Sequence, residues 1–419
     1  LVHPRTVGGP IHKRSFAMLS VVCLVAAACL LAAGAKAQPA ENKKVAALVA
    51  SWFPNSHPDV MLGRLLKTYT LDGKGERPQL QLVSVYRDKL TDRDISAQLA
   101  QQYGFRICDT IAEALTLGTG KLAVDGVFIS TEWADYPKSL TGQVIYPHRW
   151  MFEEVVKVFK ESGRVVPVFV DKHMAYNWED SKWIYDTARE LKIPLMAGSS
   201  VPVTWRRPPA DIRDDAELKE VVGLSYHTLD GYGFHGMEMA QTLAERRRGG
   251  ETGIRSVQCL TDNAVWEAAG KLYDPALLDA ALSRLPRKLP EGKTIRDFVP
   301  HPVLFVMDYA DGLRVCLFTL NGFVGHWAAA WRYADGTTGS TLFWIEQNLP
   351  FMHFTVQMKG IEQMILTGQP AWPAERTLMT SGALDACLIS KMQGGKPVET
   401  PHLTFPYEAG WRWQQPPEP

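Results

Sequence analysis

The stretch from Gly163 to Gly198, GRVVPVFVDKHMAYNWEDSKWIYDTARELKIPLMAG, constrains the fold more than any other part of the chain. Arg164 to Val170 is a short, valine-rich apolar run, which suits a strand covered on both faces in a parallel sheet. The charged tripeptide Asp171-Lys172-His173 stands where that strand ends. Asn177 then predicts a helix N-cap, with Asp180 three positions on and Ile184, Ala188 and Leu191 continuing an apolar stripe. Ile193 to Ala197 returns as a strand. Ligands of open α/β sheets bind outside the carboxyl ends of the strands, so the tripeptide is a candidate site; the alternative is a solvated loop lysine.

The preceding residues keep the same alternation. Val45 to Ala50, Leu80 to Tyr86 and Gly126 to Ser130 read as strands. Pro58 to Thr68, Ile95 to Tyr103 and the segment carrying Phe152, Val155, Val156 and Phe159 read as helices. Strands that alternate with helices imply right-handed crossovers and a parallel sheet. After Gly198 the composition changes: Pro202, Pro208 and Pro209 bracket Thr204-Trp205-Arg206-Arg207 and suggest a link into a second domain. There, Val303 to Tyr309 and Leu313 to Leu320 flank one Asp-Gly turn, and Trp327 to Tyr333 and Ser340 to Glu346 flank another. Two helices follow, one carrying Phe354, Met358, Ile361 and Ile365, the other running from Leu378 to Met392. The expected architecture is α/β: a doubly wound parallel sheet over residues 44–200, an α+β domain with an open, mostly antiparallel sheet over 201–403, and a tail from 404 to 419.

A chain of 419 residues with 46% hydrophobic content can bury cores for about two such domains. Residues 1–37 read differently. Lys13-Arg14, an apolar run from Phe16 to Ala35 and Ala35-Lys36-Ala37 before Gln38 suggest a cleavable signal peptide, hence a periplasmic or secreted protein. An uncleaved anchor is the alternative, since about twenty apolar residues could just span a bilayer. Without the Arg5, Lys13, Arg14 and Lys36 of that leader, the balanced 45 basic and 45 acidic residues become an excess of about four negative charges. Such a chain has no basic surface for nucleic acid. Cys108, Cys259, Cys316 and Cys387 lie far apart with no zinc-ligand spacing, as buried thiols or at most one disulfide.

The block from Gly163 to Gly198 resembles the strand, Glu-Lys-Pro, helix, strand segment of the glucose-fructose oxidoreductase, inositol dehydrogenase and MocA family. Asp171, Lys172 and His173 fall on the Glu-Lys-Pro positions. The resemblance runs from about Lys44 to Leu403 and closes on Gly394-Gly395-Lys396-Pro397-Val398. It implies a Rossmann-like first domain, NAD or NADP as cofactor, and a lysine, Lys172, beside the nicotinamide and the sugar. The implied cofactor contacts are Ser51, Asn55, Ser56, His57, Arg87, Thr131 and Asp171. His57 matches the histidine that follows the fingerprint glycines, Arg87 takes the place of the ribose-binding acid, and Thr131 matches a threonine after the third strand. The sharpest departure is at the G-x-G-x-x-G positions, which hold Val49, Ser51 and Pro54. The bulk of Trp52 and Phe53 in that loop opposes the usual approach of phosphate.

In the second domain GFHGMEMAQTLAERR resembles the family segment in which Gly-x-His follows an acid and opens a helix. Gly233 and His235 match, Glu238 replaces a later aspartate, and the acid, Asp230, lies one residue early. A histidine with lysine and carboxylate neighbours can be tuned to move a hydroxyl proton. The resemblance thus implies hydride transfer between a nicotinamide and a carbohydrate or cyclitol hydroxyl, with Lys172, His235 and Asp230 catalytic. Two alternatives stay open: a carbohydrate-binding protein that has lost the dinucleotide, and redox-neutral, NAD-dependent glycoside cleavage. His235 could instead be a packing histidine. His227, Asp230, His235 and Glu238 could ligate a metal by residue type, but their spacing matches no familiar ligand pattern, so no metal is expected. Trp52, Trp150, Trp205, Trp327 and Trp331 are candidates for stacking on sugars or for packing, and Thr131-Glu132-Trp133 is better placed than most, at a strand's carboxyl end. Homo-oligomers built on the second sheet are common in that family.

Overall fold

The computed structural model describes residues 41–418 together with residues 1, 3, 4 and 8, so the expected leader lies outside the described residues apart from those four. Six parallel strands form the first sheet: β1 (Lys43–Val49), β2 (Leu80–Arg87), β3 (Arg106–Cys108), β4 (Gly126–Ser130), β5 (Val168–Val170) and β6 (Leu195–Ala197). Their order, β3-β2-β1-β4-β5-β6, is that of the doubly wound dinucleotide fold. Helices α1 (His57–Leu66), α2 (Ser96–Tyr103), α3 (Ile111–Thr116), α4 (His148–Ser162) and α5 (Trp178–Glu190) connect the strands.

Strand alternation sends β1 side chains to two separate cores. Ala46 and Leu48 pack with Phe152, Val155 and Phe159 of α4 and Ile184 of α5. Val45, Ala47 and Val49 pack with Val60 and Met61 of α1. The expected start of α5 is borne out, because Asn177 Oδ1 accepts the Asp180 N–H at 2.7 Å.

The second sheet contains β7 (Trp205–Arg207), β8 (Leu218–Ser225), β9 (Ile254–Thr261), β10 (Val303–Tyr309), β11 (Arg314–Thr319), β12 (Trp327–Tyr333), β13 (Thr338–Trp344) and β14 (Val398–Glu399), in the order β14-β9-β10-β11-β8-β12-β13-β7. All its pairings are antiparallel except β11 with β8. Both expected Asp-Gly turns join hairpins, β10 to β11 and β12 to β13, with Gly312 and Gly336 at positive φ. One face packs on α6 (Gly231–Ala244) and on a long helix near the carboxyl end. The other is covered by two short helices, α7 (Asn263–Glu267) and α8 (Pro275–Leu282), which set Val265, Leu277, Leu278 and Ala281 against Val222, Leu224, Leu304 and Phe318.

The last two helices, α9 (His353–Thr367) and α10 (Ala374–Met392), return toward the first sheet. Phe354, Met358 and Ile361 of α9 join Val45 and Val49 in one core. Gly126 of β4 permits this approach, because a Cβ there would lie 2.8 Å from Ile365. The tail is held as well: Trp413 Nε1 donates to Thr204 O at 2.8 Å and Trp205 Nε1 to Pro417 O at 3.0 Å, which sheathes the β7 edge. Among the described residues the cysteines are Cys108, Cys259, Cys316 and Cys387, all buried free thiols.

Candidate active site

β1, β4 and β5 lie side by side and end together, so whatever follows each strand meets at one edge. His57 opens α1, Glu132 follows β4, and Asp171-Lys172-His173 follows β5. Between β1 and β4 the connections run to opposite sides, which opens a crevice at that edge.

Four ionisable groups close a ring there. The Lys172 ammonium donates to Glu132 Oε1, with both side chains nearly buried. His57 Nδ1 lies 2.6 Å from Asp171 Oδ2, and its Nε2 lies 3.4 Å from Glu132 Oε2. Asp171 also accepts the Ser130 hydroxyl and the Lys172 N–H, each at 2.8 Å. Burial alone would lower the pKa of Lys172, but the Glu132 and Asp171 carboxylates outweigh it and hold the group above its ordinary value. Burial likewise opposes charge on His57, and Asp171 and Glu132 again prevail, raising it. Burial would raise Asp171, yet His57, Lys172 and the Ser130 hydroxyl bring it down to about 2. With His57 protonated, two cations face two anions, so each buried charge has an opposite partner.

Lys172 stands between two cavities. The smaller, about 230 Å³, is lined by His57, Glu132, Lys172, Tyr232, His235 and Trp327 among others. The larger, about 560 Å³, is lined by Trp133, Tyr146, Lys172, Asp230, Tyr232 and Lys391 among others. Trp133 borders both and is 55% exposed, and Tyr232 stacks on Trp327 with ring centres 5.5 Å apart.

Lys172 and His235, the lysine and histidine expected to be catalytic, share the smaller cavity. His235 packs edge-on to Trp327 at 5.2 Å, and its Nδ1 has no hydrogen-bond partner. Burial, reinforced by the nearby charges of Lys172 and His57, pushes it well below the usual histidine value, so it stays neutral. Asp230 does not complete the expected trio through a hydrogen bond or ion pair with Lys172 or His235. Its Oδ1 lies 3.2 Å from His173 Nε2, and its Oδ2 accepts the Val144 N–H at 2.9 Å. The group placed to carry a proton is therefore His57, expected from the sequence only as a cofactor contact. Glu132, the direct partner of Lys172, carries no sequence signal beyond its place at a strand end. His227, Asp230, His235 and Glu238 do not converge on one point: Glu238 is taken by the Ser199 N–H at 2.6 Å and the Thr377 hydroxyl at 2.7 Å. Among the described residues, the group close enough to share an ion is His57, Glu132 and Asp171, and the Lys172 cation is already bonded to that Glu132.

Most of the other expected cofactor contacts are engaged within the fold. Thr131 is buried, and its hydroxyl is 2.8 Å from His148 Nε2. Ser56 caps α1, Asn55 donates its N–H to Asp59 at 2.8 Å, and Ser51 bonds Thr91 and Asp94. Arg87 lies 3.7 Å from Asp94 and donates to the Ser96 hydroxyl at 3.1 Å. Asn55 borders the smaller cavity, but Ser51, Ser56, Arg87 and Thr131 are bonded to other residues of the fold, and the residues present do not fit a dinucleotide in its usual place.

No protein-family model matches the sequence, and no curated protein matches it. Solved structures do share the fold. GenD2 from gentamicin A biosynthesis, in complex with NAD, matches with a TM-score of 0.56 and 14% identity, over 86% of this chain and 97% of its own. A myo-inositol dehydrogenase from Lactobacillus casei, in complex with NAD(H) and myo-inositol, matches with a TM-score of 0.53 and 10% identity, over 85% and 96%. A putative myo-inositol dehydrogenase from Sinorhizobium meliloti matches with a TM-score of 0.52 and 14% identity, over 85% and 99%. The Rossmann-like parallel sheet followed by a mixed, mostly antiparallel sheet is the fold of these oxidoreductases.

Proposed function

We propose that this chain binds a carbohydrate or cyclitol in the cleft around Lys172 and handles the proton of one of its hydroxyls. The observation that carries this reading is the ring of Lys172, Glu132, His57 and Asp171 opening on cavities walled by Trp133, Tyr232 and Trp327. Aromatic faces suit the C–H faces of a polyol, while a balanced set of donors and acceptors suits its hydroxyls. Lys172 would donate to the substrate oxygen and stabilise negative charge developing there. His57, with its pKa held up by two carboxylates, would exchange the proton. Neutral His235, which borders the smaller cavity, would meet a second hydroxyl. The likeness in fold to inositol dehydrogenases supports the same substrate class.

Oxidation or reduction of such a hydroxyl is the second reading. The fold likeness to NAD-binding dehydrogenases favours it, as does the place of Lys172 after β5. An assay for polyol-dependent reduction of NAD or NADP would support it. Export is part of the same proposal, and a mature protein beginning at Gln38 would support it.

The binding test uses purified protein, tryptophan fluorescence and calorimetry with myo-inositol and a panel of monosaccharides. Saturable binding by at least one is expected, and Trp133→Ala should weaken it about 10-fold by removing a stacking face. A panel in which nothing binds would remove the reading.

A further inference from the structure

We propose that two carboxylates of this chain, Asp94 and Asp59, occupy the place of the dinucleotide phosphates, and that the cleft around Lys172 works without a nucleotide. A doubly wound fold holds pyrophosphate on free N–H groups where the first strand turns into the first helix, and that spot must be free of negative charge. Here most of those donors are committed. The Trp52 N–H donates to Asp94 Oδ2 at 2.7 Å, the Phe53 N–H to Ser56 Oγ at 3.2 Å and the Asn55 N–H to Asp59 Oδ2 at 2.8 Å. Pro54 has no N–H to offer. The indole N–H of Trp52 is bound to Asp59 Oδ1 at 3.1 Å, and the Ser51 hydroxyl to Asp94 Oδ2 at 3.1 Å. Two negative groups thus sit on the turn, where a diphosphate would bring like charge into close range.

The nucleoside side is closed as well. In this fold the adenosine lies between the turn after β1 and the one after β2. In this chain the two turns are bonded together: Asp88 N–H to Val49 O at 2.9 Å, Lys89 N–H to Ala50 O at 3.0 Å and Ile95 N–H to Trp52 O at 2.7 Å. Trp52 is fully buried and stacks on Phe105 with ring planes 10° apart. Arg87, the residue nearest a ribose or its 2′-phosphate by sequence position, instead points to Asp94, 3.7 Å away. Opening the groove would break these bonds and leave the buried Trp52 without its packing. The inference concerns the cofactor alone and does not depend on what occupies the cleft.

Three measurements on the wild-type chain test it. Mass spectrometry of denatured protein should find no nucleotide. NAD⁺, NADH, NADP⁺, NADPH and ADP-ribose, each at about 1 mM, should leave Tm within about 1 °C, whereas a ligand bound in the micromolar range would raise it by several degrees. The amides of Trp52 and Ile95 should exchange hydrogen as slowly as core amides, with or without NAD⁺. A co-purifying nucleotide, a saturable rise in Tm or fast exchange at those amides would each overturn the inference. Polyol binding is scored separately. Protein that binds neither nucleotide nor polyol removes the proposed function and leaves this inference standing, and protein that binds both does the reverse.

Discussion

Lys172→Met is expected to cost about 3–5 kcal/mol of stability in urea unfolding, the range for stranding a buried charge. The reason lies in the ring: without the ammonium, Glu132 and Asp171 share one imidazolium in a site that water scarcely reaches. Methionine keeps most of the side-chain volume, so the loss reports charge rather than packing. Adding Glu132→Gln removes the stranded carboxylate, and the double variant should recover part of the loss, with a coupling of at least about 1 kcal/mol. Strictly additive losses would mean that the two groups do not interact. Polyol binding should disappear in Lys172→Met even under conditions where the variant remains folded.

Acidification from about pH 6.5 to pH 4 should lower stability by about 3 kcal/mol through His148 alone. Burial takes this imidazole down to about 4. Its hydrogen bonds fit the neutral form: Nδ1–H donates to His173 O at 2.8 Å, and Nε2 accepts the Thr131 hydroxyl at 2.8 Å. Between its folded value and about 6.5 the unfolded chain binds the proton that the folded chain refuses, so stability rises with pH across that window. His353, lowered by burial to about 3, and His235 act in the same direction. His57 acts oppositely: its contribution is complete below about 6.5 and is lost as pH rises through its raised folded value. Asp171 contributes above about 3.9 and loses that contribution as pH falls through about 2. Urea midpoints measured from pH 4 to 8 should therefore climb toward neutrality, and His148→Gln should flatten the climb. A profile that improves on acidification would show that these imidazoles are charged in the folded state.

The fold was legible because its signals are local and repeated. Valine-rich runs separated by capped, amphipathic helices dictate parallel strands, and Asp311-Gly312 and Asp335-Gly336 mark two hairpins by turn chemistry alone. Residues 262–302 were not legible, because α7 and α8 span only five and eight residues, too short to show a period. In the site, Lys172, His57 and Asp171 could be picked out because each ends a strand or opens a helix. The pairing of Glu132 with Lys172 spans 40 positions and follows no spacing rule. Asp94 was invisible for a related reason: an acid in the loop after β2 carries no motif until the fold brings it onto the Trp52 amide.

The segment holding α7 and α8 has a consequence for assembly. Two copies could stack through the broad outer side of the second sheet only if that segment peeled away and exposed Val222, Leu224, Leu304 and Phe318. The sheet's edges offer little instead: β14 is two residues long, and the strand at the opposite border lies under the tail. The chain in effect supplies its own sheet partner.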